Sequence, residues 1–403
     1  MRARFYRVGL AGLSLVLLGH TAQAQAGADQ AAERTQANYV APVVGSTQEA
    51  PAVQVPDQQE TTPPIEQRRH FSRSIKVTKV GQAFSLDTRY GRVRVSAWDK
   101  PEIKVEAELI ARAETPLAAT QLLDGLSVQW LDYDARTGGV TVSSQFGPEL
   151  KGKCSGAGCR YEISYTVWLP NTTALRIKTK FADVAVAGDW QGPAQLDVNY
   201  GTLRTARLNG TGNVVHIANG DATLPYAQQA TLQADYAKLR LDAGEQIELL
   251  TNYSDVDMGT VRDLTVHSKY GDVALGSVRT LRGSSGYSHF SVDKLSEGLD
   301  MAVRYCPDFE IRDMGANFRQ INLDGGFSTI RLGFAEETPS FQFNVSTEQG
   351  QLLVDKKLVR VLSSGESPQG VADVLGVYGG QVPARGAGSV IIKVRYGTVR
   401  FSK

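Results

Sequence analysis

Four polar residues recur at a constant interval in the middle of the chain. Lys238, Asp255, Asp272 and His289 stand seventeen residues apart, and each follows a tyrosine by two positions. If the copies stack as neighbouring strands, Asp255 and Asp272 lie about 5 Å apart. A carboxylate pair at that distance can bind Ca²⁺ or serve acid–base chemistry, and Asp257 adds a possible third ligand. The alternative is a turn-facing ladder, in which aspartate suits the corner backbone and the two basic residues offset its charge.

The rest of the sequence offers little support for a reaction. It contains no nucleophile elbow, P-loop or HExxH motif. His216 and His267 occupy the same position in two copies, but three strand spacings separate them by about 14 Å, too far to share one metal ion. We therefore predict no catalytic residue, no cofactor and solvated histidines, with Asp255, Asp257 and Asp272 as weak candidates for a metal site.

These residues belong to a repeated phrase, as in "LLTNYSDVDMGTV" and "VHSKYGDVALGSV". We call its aromatic position column zero and number the other columns relative to it. Column zero recurs at intervals of 19, 19, 17, 17, 17, 17, 18 and 22 residues. Two isolated copies, at Tyr90 and Tyr396, flank the array. Its members are Phe181, Tyr200, Asn219, Tyr236, Tyr253, Tyr270, Tyr287, Tyr305 and Phe327.

The columns around position zero alternate in polarity. Columns −6 and −4 are apolar, as at Ile247 and Leu249, and columns +3 and +5 are apolar, as at Val256 and Met258. The change from even to odd columns requires a bend, which we place at the small residues of column +1. Cys306 stands in column +1 and is expected to fill a tight corner slot. Column zero shares the parity of −4, which favours an internal or corner stack of rings over an exposed platform for sugars.

This pattern predicts an all-β fold. Neither half of a copy can bury its apolar face alone, whereas stacked copies can pair in parallel. We predict a right-handed parallel β-helix with about nine coils of 17–19 residues and a β-rich N-terminal cap. The alternative is an antiparallel β-sandwich, in which the phrases would be hairpins.

The predicted organisation has four parts. Residues 1–24 read as a signal peptide, with a basic start, an apolar core and the small-x-small site "AQA". Residues 25–70 read as a disordered linker rich in proline and glutamine. Residues 71–170 form the β-rich cap, in which "TPLAATQLLDGL" (115–126) is one possible helix. Residues 171–403 form the β-solenoid repeats with a C-terminal cap.

The charge balance and the cysteines limit which partners and which cellular compartment we expect. Removing the signal peptide takes three arginines and leaves 40 basic residues against 42 acidic ones. This balance argues against nucleic acid as a partner, and no later apolar stretch is long enough for a transmembrane helix. In an oxidising compartment Cys154 and Cys159 are expected to form a short disulfide loop, with free thiols or half of a metal site as alternatives.

The phrase "LDTRYGRVRVSAWDKPEIKVEAEL", followed by many "YGDV" copies, resembles the bacterial putative-adhesin family of degenerate β-strand repeats. The resemblance covers roughly residues 71–403. It implies a right-handed β-helix-like fold and an exported protein, and it carries over no catalytic residue.

Together these observations predict an exported, non-catalytic, adhesin-like interaction or structural module of the cell envelope. Its partner would be an envelope protein or a glycan, in the periplasm, at the cell surface or in the medium. The alternative is a polysaccharide-active β-helix enzyme, a lyase or a glycosidase. Such an enzyme needs two or more carboxylates and a basic residue that converge in one cleft.

Overall fold

The computed structural model describes residues 64–77, 82–150, 154, 158–367, 370–379 and 381–403. The predicted signal peptide and most of the predicted linker lie outside these residues. The described chain is almost entirely β-structure, with one short α-helix, so the all-β prediction is confirmed.

The N-terminal part contains six strands and the helix. The helix starts where Thr115 accepts a hydrogen bond from the backbone N–H of Ala118, at 3.2 Å, and Pro116 occupies its first turn. The elements are β1 (Ile65–Lys76), β2 (Ala83–Ala97), β3 (Glu102–Ala113), α1 (Pro116–Asp124), β4 (Leu126–Asp134), β5 (Gly139–Phe146), a 3₁₀ turn (Pro148–Leu150) and β6 (Arg160–Leu169).

Strand β1 corrects the predicted boundary of the linker. It begins at Ile65, inside residues 25–70, and pairs antiparallel with β3 along its whole length. Its polar sequence resembles a linker, but the charged side chains find partners on the neighbouring elements. Arg68 contacts Glu108 at 2.7 Å and Arg69 contacts Asp124 at 2.6 Å.

The repeat array follows, and consecutive copies pair in parallel at the offset of the repeat. Leu232 pairs with Leu249, and Leu249 with Val266, so the predicted columns are the observed register. The antiparallel alternative is therefore wrong for the repeats. The strands are β7 (Ala174–Ala187), β8 (Ala194–Asn199), β9 (Thr202–Thr205), β10 (Asn213–Ala218), β11 (Asp221–Asp235), β12 (Lys238–Asn252) and β13 (Asp255–Arg304).

In the C-terminal part the strands do not stack in the order in which they follow along the chain. Strand β21 pairs in parallel with both β15 and β17, so the last copy lies between two earlier ones. The strands are β14 (Asp308–Met314), β15 (Gln320–Gly326), β16 (Thr329–Phe334), β17 (Phe341–Glu348), β18 (Gln351–Leu353), β19 (Val359–Glu366), β20 (Val371–Tyr378), β21 (Ser389–Arg395) and β22 (Thr398–Ser402).

One apolar core runs through all of these strands, from Phe84 in β2 to Phe401 in β22. It is filled by the inward columns, as at Leu249 and Val266, which are fully buried. Because no strand can cover its own apolar side, each copy depends on its neighbours for burial.

Column zero has a left-handed backbone throughout. Every non-glycine residue with positive φ in the described chain belongs to this column, with φ between 49° and 57°. Each such residue marks one rung of the stack. The twelve rungs are marked by Tyr90, Phe181, Tyr200, Asn219, Tyr236, Tyr253, Tyr270, Tyr287, Tyr305, Phe327, Gln349 and Tyr396.

The predicted inward direction of column zero is wrong. Tyr253 is 47% exposed, whereas Ser254 in column +1 is buried. The left-handed residue itself is the bend, so columns −1 and zero both face outward before the strand resumes with column +1 inward. Column +1 is small because the previous rung is close. A Cβ on Gly220 would lie 2.0 Å from the carbonyl oxygen of Gly201.

Candidate binding surface

The side chains of column zero form an exposed row of stacked rings, which we call the aromatic row. Seven consecutive rings, from Tyr236 to Tyr396, lie with neighbouring centroids 4.5–5.1 Å apart and planes within 24° of parallel. A shorter run of three rings joins Tyr90, Phe181 and Tyr200 at 5.4 and 4.9 Å. The strained backbone of column zero is thus accompanied by favourable ring contacts.

Stacking decides which parts of the rings a ligand can reach. Each ring inside a run has both faces covered by its neighbours, so its outer edge and hydroxyl face the solvent. Loss of solvent around the stacked ring raises the pKa of Tyr253, and the neighbouring phenols of Tyr270 and Tyr236 raise it further. Sugar rings therefore cannot stack on the interior of the row, and only an end or a gap offers a free face.

The N-terminal end of the row is closed by two further rings. Phe146 and Tyr161 meet Tyr90 edge to face, with centroids 5.8 and 5.5 Å away. These rings come from strands β5 and β6, which pair in parallel with the two halves of β2. The cap therefore continues the surface of the row.

The polar ladder beside the row, column +2, lies on the surface as the turn-facing alternative predicts. Asp272 contacts His289 Nδ1 at 3.1 Å, and Asp257, in the neighbouring outward column +4, contacts Arg240 of the same column at 3.6 Å. Within the described chain, no group of three or more His, Cys, Asp or Glu side chains is arranged to hold a metal ion. Asp255, Asp257 and Asp272 therefore remain candidates without a built metal site.

One histidine differs from the predicted solvated state. His216 is partly buried between two carboxylates, with Nδ1 3.1 Å from Asp197 and Nε2 3.2 Å from Asp235. His267 instead contacts Ser284 at 3.0 Å. The sequence correctly places His216 in an outward column. It does not predict the contacts with the two aspartates, because these belong to the neighbouring rungs.

A groove of about 740 Å³ crosses the outward face of β2, β5, β7 and β8 beside the aromatic row. The β4–β5 hairpin forms one wall, and Arg176 of β7 holds it by donating a hydrogen bond to the carbonyl oxygen of Thr137, at 3.0 Å. Neutral hydrogen-bonding side chains line much of the groove: Ser85, Gln129, Thr141, Ser143, Gln145 and Gln195.

Charged side chains of both signs complete the groove. The cations are Arg89, Arg136, Arg176 and Lys178, and the carboxylates are Asp87, Asp134 and Asp197. The backbone N–H of Arg136 donates to Asp134 and holds the pKa of that carboxyl below its usual value. A general acid needs a raised pKa, so Asp134 suits a structural role in the turn better than proton donation.

A hydrogen-bonded chain leads from the groove lining, at Thr88 and Ser144, to the buried Tyr165. Ser144 Oγ is 2.7 Å from Thr88 Oγ1 and 2.7 Å from Tyr165 Oη. Burial raises the pKa of Tyr165 to about 12. The chain joins β2, β5 and β6, and its hydroxyl groups satisfy one another's hydrogen bonds.

The cysteines lie where the sequence predicts them. Cys154 and Cys159 are bonded to each other, with Cα atoms 5.3 Å apart. Cys306 is free and fully buried in column +1, and its Sγ contacts the carbonyl oxygen of Arg304 at 3.5 Å. The serines of this column make the same contact two residues back, as Ser328 does with Gly326 at 2.8 Å.

Several members of the surface were missed in the sequence. Tyr90 and Tyr396 are full members of the row, although the sequence pattern presents them as isolated copies. Gln349 marks a rung that was not recognised, and the alternating "FQFNVST" before it and Gly350 after it were the available signals. No comparable signal in the sequence indicates the groove, because the hairpin that forms its wall is not part of the repeat.

Comparisons with known proteins give a distant similarity only. The sequence matches no known protein family and no curated protein. Three solved structures each align with 83% of this chain: a putative cell adhesion protein from Clostridium sporogenes ATCC 15579, and putative adhesins from Bacteroides fragilis NCTC 9343 and Parabacteroides distasonis ATCC 8503.

The first is 8% identical with a TM-score of 0.18 and is covered over 99% of its length. The other two are 10% identical, with TM-scores of 0.30 and 0.29, and are covered over 97%. Similarity at this level does not identify the function of this chain. In the described residues no helix has the length and apolar character to cross a bilayer.

Proposed function

We propose that this chain is an exported, non-catalytic, adhesin-like module of the cell envelope that binds a glycan along its groove. The observation that carries the proposal is the groove itself. It is open and lined by neutral amide and hydroxyl groups next to charges of both signs. Such a lining offers donors and acceptors to many hydroxyl groups at once, as an extended polysaccharide requires.

The scaffold proposed for this groove is a right-handed parallel β-helix. The parallel, in-register pairing of β7, β8, β10, β11, β12 and β13 supports it. A stack of paired strands holds the groove and the row rigidly, which keeps the entropy cost of binding low. An experimental structure of the protein tests the number of coils and their hand.

A glycan screen tests the proposed function. The full protein is applied to immobilised bacterial and host polysaccharides, together with the double variant Lys178→Ala/Gln195→Ala, which removes two groove side chains in columns −3 and −5. The matched control is Lys393→Ala/Asn344→Ala, which changes the same columns outside the groove. We expect a glycan that retains the wild type and the control but not the groove variant. Equal retention of all three proteins would contradict the proposal.

The second candidate is a polysaccharide-cleaving enzyme, favoured by the three carboxylates and four cations that share the groove. Two of these carboxylates already have partners: Asp134 accepts a hydrogen bond from the backbone N–H of Arg136 in the turn, and Asp197 contacts His216. Asp87 remains as the candidate acid or base. Cleavage of a bound glycan that is lost in Asp87→Asn would support the enzyme.

A further inference from the structure

The aromatic row is interrupted at one rung. Asn219 stands in column zero between Tyr200 and Tyr236, and it keeps the left-handed backbone with φ of 53°. Its backbone N–H donates to the carbonyl oxygen of Asp235 at 3.0 Å, as Tyr236 donates to Asn252 at 3.0 Å. The rung is therefore complete in its backbone, and only the ring is missing.

The missing ring leaves a slot with two aromatic walls. Two rungs of about 4.8 Å each place the rings of Tyr200 and Tyr236 about 10 Å apart. Tyr200 stacks on Phe181, and Tyr236 stacks on Tyr253, so each has one face turned to the slot. Tyr236 is 60% exposed, more than any other ring of the row.

The side chain of Asn219 does not fill this slot. Its Nδ2 donates to Oδ1 of Asn199 at 3.4 Å, on the column −1 side. Next to it Gly220 has no side chain. An open cavity of about 350 Å³ lies on the column +2 side of these rungs, bordered by Gly220, Asp221, Tyr236, Lys238, Tyr253 and Asp255. Asparagine suits a left-handed backbone by itself, so the free ring faces and the high exposure of Tyr236, and not the residue type, point to a ligand.

The charges around the slot indicate the charge of the ligand that it would bind. Asp221 stands in column +2 of the Asn219 rung, and Asp235 stands in column −1 of the next rung, where it pairs with Ala218. Lys238 stands between Asp221 and Asp255 in column +2. Lys180 lies 5.9 Å from the ring centroid of Tyr200, and His216 contacts Asp235. On the rungs of Tyr200, Asn219 and Tyr236, columns −1 and +2 together hold two carboxylates, Asp221 and Asp235, and one ammonium group, Lys238, so these columns carry net negative charge beside the slot.

We propose that this slot binds an organic cation, of the alkylated ammonium class, between the faces of Tyr200 and Tyr236. A cation at the centre of the slot lies about 5 Å from both ring centroids, within the range of about 6 Å for cation–π attraction. Asp221 and Asp235 add long-range attraction. The site goes beyond the proposed glycan binding, and it is tested by variants that do not touch the groove.

The test is a calorimetric titration with choline at pH 8, above the ordinary titration range of histidine. Its neutral isostere, 3,3-dimethylbutan-1-ol, and p-cresol are titrated in parallel. We expect choline to bind and both neutral probes to bind at least fivefold more weakly. Absence of choline binding, or equal binding of a neutral probe, would overturn the proposal.

Variants locate the site. Asn219→Tyr should abolish choline binding while keeping the fold, since tyrosine occupies this column on eight other rungs. Tyr236→Leu should weaken binding about two- to fivefold, the range for one exposed cation–π contact. The double variant Asp221→Asn/Asp235→Asn should weaken the binding of choline and leave the binding of the two neutral probes unchanged. Tyr396→Leu, in the same row but away from the slot, is the control and should bind as the wild type does. Unchanged binding in Asn219→Tyr would overturn the proposal, whatever its thermal stability.

Discussion

Tyr396 stacks on Phe327 with ring centroids 4.8 Å apart and planes 12° from parallel, although 69 positions separate them in the sequence. The contact exists because β21 and β22 return from the C-terminus and pair with β15 and β16. On its other side β21 pairs with β17. The last residues of the chain thus form an internal rung, and the rungs on both sides depend on them for burial.

Substitutions in β21 should show this dependence. Val394 is buried and Ile391 is 42% exposed on the opposite side of the same strand. Val394→Asp buries an unpaired charge and should lower the free energy of unfolding by about 3–5 kcal/mol. Ile391→Asp makes the same kind of change facing solvent and should cost less than about 1 kcal/mol. Denaturant unfolding measures both, and similar losses would show that β21 is not an internal strand.

The core columns were predictable because hydrophobicity is periodic, and the pairing of Leu249 with Val266 follows from that period. The direction of column zero was not predictable in this way. A left-handed residue changes which columns of the strand face inward, and the hydrophobic pattern does not show which residues have positive φ. The places of Tyr90 and Tyr396 in the row could not be predicted either, because long segments separate these residues from the array. The groove depends on how a non-repeating hairpin packs beside Arg176.

Alkaline pH should weaken the fold through Tyr165. Burial raises its pKa from the ordinary value of 10.0 to about 12, so the folded protein holds this proton more tightly than the unfolded chain. This contribution to stability is fully present below about pH 10 and is lost as the pH rises through 12, with a size of about 2–3 kcal/mol. The free energy of unfolding from pH 9 to 12 measures it.

Tyr165→Phe should reduce the slope of that loss. Tyr133→Phe, at a residue that is 64% exposed, is the control and should keep the wild-type slope. If Tyr165→Phe also kept it, the buried phenol would not be the cause.

The thiol of Cys306 should be shielded. It is fully buried, so alkylating reagents should modify it only after denaturant is added. Cys306→Ser should cost less than about 1 kcal/mol because Ser254, Ser288 and Ser328 occupy the same column, whereas Cys306→Leu should overpack it and cost about 1–3 kcal/mol. Mass spectrometry after alkylation checks the first claim, and thermal melts check the second. Rapid labelling of the native protein would refute the buried position.

Calcium should leave the melting temperature unchanged. Asp272 contacts His289, and Asp257 contacts Arg240, so two of the three candidate carboxylates already have basic partners. A bound ion would stabilise the folded state by mass action. Thermal melts with and without excess calcium, on the wild type and on Asp255→Asn/Asp272→Asn, measure this. A rise that is present in the wild type and lost in the double variant would establish a calcium site.

The central claim is that the groove binds a glycan without cleaving it. The most direct measurement incubates the full protein with each polysaccharide that retains it and follows both binding and chain length over time. We predict saturable binding that Lys178→Ala/Gln195→Ala weakens at least fivefold, with no change in chain length. Shortening of the polysaccharide by the wild type but not by Asp87→Asn, or failure of every polysaccharide to retain the protein, would contradict the claim.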